Sequence, residues 1–162
     1  MSAAIRSPPT ISLHRQRERN SLSALSPRFY LRPMTVPVLA FDHVGIRVSD
    51  PARGLAFYAD LGFALDPDCS NARVAEIVSA DGVRLNLIFN GEARANNILL
   101  DEPSRWPGYT HAAFVVPRLG DIIDWAGERG IGITEGPHDW GRRLTCFLRD
   151  PDGNVLEFNE LK

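Results

Sequence analysis

Apolar and polar residues alternate along a short stretch that opens the ordered part of the sequence, "HVGIRV". In this predicted strand His43, Gly45 and Arg47 share one face, and the valine and isoleucine residues between them share the other. Asp50 then provides a helix N-cap, and apolar residues recur at helical spacing until Gly62 ends the run. The pattern predicts a strand followed by a helix that covers its apolar face.

The same plan returns later in the chain. His43 and His111 each open a strand and each stand 19 residues before a glycine that ends a helix. Each copy then continues with β-rich segments broken by Asp-Gly turns, "SADGVRLNL" and "DPDGNVLEF". Four residues beyond the turn glycine stand Asn86 in the first copy and Glu157 in the second. The sequence therefore predicts two βαβββ modules, at about 38–97 and 107–162, within a single domain of residues 38–162.

Composition narrows the class of protein. The 162 residues are 44% hydrophobic and 23% charged, as in an ordinary globular protein. No segment approaches the roughly 18 consecutive apolar residues of a membrane span. The cysteines, Cys69 and Cys146, show no close spacing and are interpreted as reduced structural thiols.

Charge separates an N-terminal arm from the body. Residues 1–33 hold six arginines and one acid, with several Ser and Pro, and are predicted to be disordered. Residues 34–162 hold 12 basic and 19 acidic residues, a formal net charge of −7, which argues against nucleic-acid binding. The arm has the composition of an organelle transit peptide, but we favour a translation start at Met34 and a cytoplasmic protein.

Strand alternation places four unusual residues on the face away from the helices: His43, Asn86, His111 and Glu157. A single strand histidine is usually structural, but these positions are related by the repeat. Two imidazoles and a carboxylate on one surface predict a site for a divalent ion such as Fe, Mn, Ni or Zn.

Four motifs, "DHVGIRVSD", "AFYADLGF", "GYTHAAFVV" and "RDPDGNVLEF", together resemble the vicinal oxygen chelate superfamily. That superfamily includes glyoxalase I, extradiol dioxygenases, the fosfomycin-resistance thiol transferases and the bleomycin-resistance proteins. The resemblance covers residues 38–162 and implies an α+β fold, in which two βαβββ modules form a cupped mixed sheet with helices on its convex side. It also implies that His43, His111 and Glu157 hold the metal.

Asn86 stands where glyoxalase I has a carboxylate, and an amide cannot take a proton. We expect Asn86 to form a hydrogen bond to a metal ligand rather than to bind the metal as a fourth ligand, and Glu157 is the candidate base. A glyoxalase-like lyase or isomerase and a ring-cleaving dioxygenase are equally supported. Alternatives are a thiol transferase, for which no monovalent-cation loop is evident, and a metal-free sequestering protein.

Further residues are candidates for substrate contacts. Arg47, Arg84 and Arg142 could bind an anionic small molecule, and His138, in the segment "EGPHDWGRRLT" interpreted as a loop, could act as an acid or base. Residues 98–109 link the modules and are expected to wall the pocket or a dimer contact. We expect a homodimer.

The arm's composition cannot build a packed core, so removing residues 1–33 should leave the fold intact. A protein that starts at Met34 should match the full chain in thermal unfolding and in metal content. Loss of soluble folded protein on truncation would show that the arm packs on the body.

Overall fold

The described part of the chain forms ten helices and strands, in the order that the repeat predicts. The computed structural model describes residues 37–93, 97 and 100–162. The first module contains β1 (Val44–Arg47), α1 (Pro51–Asp60), β2 (Phe63–Asp66), β3 (Val74–Ser79) and β4 (Arg84–Ile88). The second contains β5 (Ala112–Val115), α2 (Leu119–Glu128), β6 (Ile133–Asp139), β7 (Arg143–Arg149) and β8 (Val155–Leu161).

Each module is one four-stranded mixed sheet, and the two sheets have the same topology. The strand orders are β1-β4-β3-β2 and β5-β8-β7-β6. The first strand of each module pairs in parallel with the last, and the other pairs are antiparallel. The predicted βαβββ modules and the α+β class are confirmed.

The helices cover the apolar face of the sheets. Asp50 caps α1 by accepting a hydrogen bond from the Arg53 N–H at 3.1 Å, which satisfies one of the free donors of the first turn. The two modules share one hydrophobic core, because the rings of Phe57 in α1 and Trp125 in α2 meet edge-on with centroids 5.6 Å apart. Such a pair contributes about 0.5–1.5 kcal/mol beyond the burial of its surface.

A buried carboxylate also joins the modules. Asp150, in the turn before β8, is 5% exposed and accepts a hydrogen bond at 3.0 Å from the hydroxyl of Tyr58 in α1. Burial raises the pKa of Asp150 and that of Tyr58. Asp152, two residues on, bonds the backbone and hydroxyl of Ser49 and the guanidinium of Arg53. The turn before β8 is therefore fixed against the start of α1.

The face of each sheet opposite the helices, called here the open face, carries the polar strand residues. In the first module, one row across the strands consists of Gly45, Asn86, Glu76 and Asp66. In the second module, the corresponding row consists of Ala113, Glu157, Phe147 and Glu135. The two rows place Asn86 and Glu157 at equivalent positions, as the repeat predicted.

One secondary-structure prediction was wrong. The first half of "EGPHDWGRRLT" is not a loop, since Glu135 to Asp139 belong to β6. Gly136 and Pro137 are residue types common in loops, but they lie on an edge strand, where a register shift between Glu135 and His138 accommodates them. The tight turn comes afterwards, around Gly141.

The N-terminal arm and the absence of a membrane span were also predicted from the sequence. The predicted arm, residues 1–33, lies outside the described residues. Among the residues that the structure covers, no helix combines the length and apolar character needed to cross a membrane.

Tyr58→Phe should destabilise the protein by about 1–3 kcal/mol, because it removes a donor from a buried carboxylate. Urea unfolding monitored by circular dichroism measures this change. Tyr109→Phe is the matched control, since Tyr109 is 97% exposed, and it should leave the midpoint unchanged. Equal midpoints for the Tyr58 variant and the wild type would show that the hydrogen bond from Tyr58 to Asp150 contributes nothing to the stability of the fold.

Candidate functional site

A histidine and a carboxylate from neighbouring strands meet on the open face of the second module. His111 immediately precedes β5 and Glu157 lies in β8, and these strands pair in parallel. The Nε2 atom of His111 lies 2.9 Å from Oε2 of Glu157. Their side chains are 37% and 15% exposed, so the pair is reachable from solvent but partly desolvated.

Buried polar groups hold Glu157 in place. Its Oε1 accepts a hydrogen bond from Nδ2 of Asn159 at 2.9 Å, and Oδ1 of Asn159 accepts one from the Thr145 hydroxyl at 2.6 Å. Asn159 and Thr145 are both buried. Phe147, opposite Glu157 in the register, packs edge-on against the His111 ring with centroids 5.6 Å apart. One carboxylate oxygen is thus fixed from behind while the other faces His111.

The residue before each repeat-related histidine contacts its Nδ1 atom. Asp42 Oδ2 lies 2.7 Å from Nδ1 of His43, and Thr110 Oγ1 lies 2.9 Å from Nδ1 of His111. A partner on one ring nitrogen fixes the orientation of the imidazole and leaves the other nitrogen for a ligand. In both histidines Nε2 is the ring nitrogen left for a ligand, and in His111 it lies against Glu157.

Residues of both modules line a cavity of about 360 Å³. Its lining includes His43 and Arg47 from the first module and His111 and Asn154 from the second. The Asn154 side chain donates a hydrogen bond to the Arg47 carbonyl at 3.2 Å, which ties the two parts of the wall together. Glu157 is not part of the lining and reaches the cavity through its contact with His111.

The predicted metal ligands are only partly brought together. His111 and Glu157 are in contact, and His43 lines the same cavity as His111. Within the part of the chain that the structure describes, one group of three His, Cys, Asp or Glu side chains has all its ligand atoms within 4.8 Å of one another, and that group is Asp66, Cys69 and Glu76. The predicted ligands stand in a looser arrangement than this group.

Asn86 and Arg84 lie beside Glu76 on the first sheet's open face. Asn86 is opposite Glu76 in the register, and Arg84 forms a salt bridge with the Glu76 carboxylate across β3 and β4. Arg84 is not on the cavity wall. Arg47 is, and its Nε donates to Oδ1 of Asn90 at 2.8 Å.

The remaining candidates also lie away from the cavity lining. His138, in β6, has Nε2 3.3 Å from a Glu135 oxygen and packs against the Trp140 ring. Arg142 lies in the exposed turn before β7, where its carbonyl accepts a hydrogen bond from the Lys162 N–H. The structure groups His43, His111, Arg47 and Glu157, and leaves His138, Arg84 and Arg142 apart from them.

Several residues near these groups were missed in the sequence. Asp42 and Thr110 could have been noticed, because both are polar and both directly precede a repeat-related histidine. Glu76 carries a signal too, since it is an acid at an alternate position of the apolar strand "VAEIVS". Asp66 and Glu76 raise the pKa of the nearby Cys69 thiol, which gave no local signal.

The chain belongs to the Glyoxalase/Bleomycin resistance protein/Dioxygenase superfamily, whose model matches residues 40–158. This match spans both βαβββ modules and every candidate residue named above. It confirms the predicted superfamily, which contains enzymes as well as binding proteins.

Three proteins similar to this chain have different names and sources. The chain is 29% identical to Virulence protein STM3117 of Salmonella typhimurium over 128 residues, which are 74% of this chain and 82% of that protein. It is 42% identical to Biphenyl-2,3-diol 1,2-dioxygenase 3 of Rhodococcus globerulus over 60 residues, 34% of this chain and 32% of that one. A crystal structure of a glyoxalase/dioxygenase from Nostoc punctiforme superposes with a TM-score of 0.62 at 23% identity, covering 80% of this chain and 99% of that one.

Proposed function

We propose that this protein is a metal-dependent enzyme that acts on a small molecule with two adjacent oxygen atoms. The observation that carries the proposal is the paired arrangement of the two histidines. Each has its Nδ1 held by the preceding side chain, and the Nε2 of one of them meets a carboxylate that is itself fixed from behind. A hydrogen bond on Nδ1 is the support that metal-binding histidines usually have, and it occurs here at both repeat-related positions.

The side chains of the candidate site offer the nitrogen and oxygen donors that divalent ions prefer. His43, His111 and Glu157 would hold the ion, and two imidazoles with one carboxylate suit iron, manganese, nickel or zinc. Such an ion supplies a Lewis acid that polarises the substrate's oxygens. Residues that bind a metal usually have hydrogen bonds from neighbouring side chains that fix their orientation. Asn159 provides such a bond to Glu157, and Asp42 and Thr110 contact the rings of the two histidines.

The protein's own residues would bind the substrate and move its proton. Arg47, on the wall of the cavity, is placed to pair with an anionic substrate. Oε2 of Glu157 is the oxygen that would hold the ion, or take a proton in the lyase or isomerase reaction, because Asn159 already occupies Oε1. Asn86 cannot share this task, since an amide is not a base at neutral pH.

Ring cleavage of a catechol-like substrate is the reaction we favour. Two histidines and one carboxylate are the ligand set of non-haem iron oxygenases. The similarity to a biphenyl-diol dioxygenase supports the same reading, although it covers a third of each chain. A glyoxalase-like lyase or isomerase is the second candidate, because Glu157 could move a proton between adjacent carbons.

A homodimer is part of the proposal. Large apolar side chains are exposed before β1 and in the link between the modules, where Leu39, Phe41 and Trp106 are 65% exposed or more. Exposed apolar side chains are common at protein interfaces.

Replacing a ligand should weaken metal binding. His111→Ala and Glu157→Gln should each lower the affinity for Fe²⁺ or Zn²⁺ by at least about tenfold, in a Cys69→Ser background that removes a competing thiol. Competition with a chromophoric chelator measures this affinity. His138→Gln is the control, since its ring lies off the cavity lining, and it should bind metal as the parent does.

Activity then separates the candidate functions. Iron-loaded protein should consume oxygen with catechols and yield ring-opened products, and His111→Ala should not. Hemithioacetal isomerisation without catechol cleavage would favour the second candidate. Unchanged metal affinity in both ligand variants would contradict the metal site and favour a sequestering protein.

A further inference from the structure

A thiol and two carboxylates converge at the turn between β2 and β3, on the first sheet's open face. Asp66 ends β2 and stands directly opposite Glu76 in β3, while Cys69 lies in the turn between them. Their ligand atoms all lie within 4.8 Å of one another. This three-residue group is separate from His43, His111 and Glu157.

The turn itself is built by Ser70. Its hydroxyl donates to the Asp66 carbonyl at 2.5 Å and accepts a hydrogen bond from the Glu76 N–H at 3.0 Å. One side chain, next to Cys69 in the sequence, therefore bridges the backbones of both strands at the residues that carry the two carboxylates. Cys69 is exposed, so an ion can reach the thiol from solvent.

A buried acceptor beside this group lacks a donor. Asn86 lies opposite Glu76 on the next strand, and its Oδ1 atom is buried with no hydrogen-bond partner among the described residues. An unsatisfied buried oxygen costs about 1–3 kcal/mol, and an ion or its bound water accounts for such a group. The row Asp66, Glu76 and Asn86 thus presents successive oxygen atoms from three adjacent strands.

We propose that Asp66, Cys69 and Glu76 form a second metal site, which takes a borderline or soft divalent cation such as Zn²⁺. On binding, the Cys69 thiol loses its proton to solvent and forms a sulfur–metal bond, and no electron is transferred. Thiolate favours zinc and cadmium over magnesium and calcium, and the two carboxylates more than offset the single positive charge that remains. The Asn86 oxygen would accept a hydrogen bond from a water on the ion, since Asn86 is opposite Glu76 in the register.

Arg84 competes with the cation for Glu76. Its guanidinium contacts Oε1 of that carboxylate, so a positive charge already stands beside the group. Arg84 is half-exposed and flexible enough to turn away when a cation binds. Removing this charge should make the site bind a cation more tightly.

The test is a titration with Cd²⁺ alone, followed by the ultraviolet charge-transfer band of a cadmium–thiolate bond. The protein carries His111→Ala and Glu157→Gln, so the result is independent of the proposed enzymatic site. One equivalent of Cd²⁺ should produce the band. Cys69→Ser should abolish it, whereas Cys146→Ser should not, because Cys146 is buried in the core.

Two further substitutions test the carboxylate and the competing arginine. Glu76→Gln should weaken Cd²⁺ binding by at least about tenfold, and Arg84→Gln should tighten it. Zn²⁺ should displace Cd²⁺ and remove the band. Absence of the band in the parent protein, its persistence in Cys69→Ser, or equal affinities in Glu76→Gln and the parent would overturn the proposal.

Discussion

The buried carboxylate of Asp150 is the constraint on which the relative placement of the modules depends. It accepts hydrogen bonds from the Tyr58 hydroxyl, the Asn154 side chain and two backbone N–H groups, so a charge inside the protein is fully surrounded by donors. Tyr58 belongs to the first module and the turn leads directly into β8, which carries Glu157. Asn154 in turn bonds the end of β1. The same short segment, "DPDGN", thereby joins the core, the cavity wall and the strand of the candidate site.

The repeat gives the two open faces the same geometry and different chemistry. Equivalent rows run Gly45, Asn86, Glu76, Asp66 and Ala113, Glu157, Phe147, Glu135. In the second module, Phe147 packs against His111 and leaves Glu157 as the central acid. In the first module, Asn86 takes the position of Glu157, and the acids are Glu76 and Asp66 on the next two strands. A duplicated sheet has in this way acquired a histidine–carboxylate pair on one copy and a thiol–carboxylate group on the other.

The fold could be predicted from the sequence because its signals are local and repeated. Alternation in "HVGIRV", the cap at Asp50 and the Asp-Gly turns each specify an element, and the superfamily motifs specify how the elements assemble. Strand parity placed His111 and Glu157 on the same face, and the structure adds that their side chains are in contact. The separate group of Asp66, Cys69 and Glu76 could not be predicted, since these residues converge only through the pairing of β2 with β3. The edge strand β6 was missed because Gly136 and Pro137 carry the signal of a loop, and only pairing with β7 overrides it.

X-ray absorption spectroscopy of the metal-loaded Cys69→Ser protein tests the central claim most directly, because it reports the ligands of the ion itself. The account predicts a first shell of nitrogen and oxygen with the outer scattering of two imidazole rings, those of His43 and His111. The scattering of one ring should disappear in His111→Ala. A shell without imidazole, or one unchanged by that substitution, would contradict the assignment of the site.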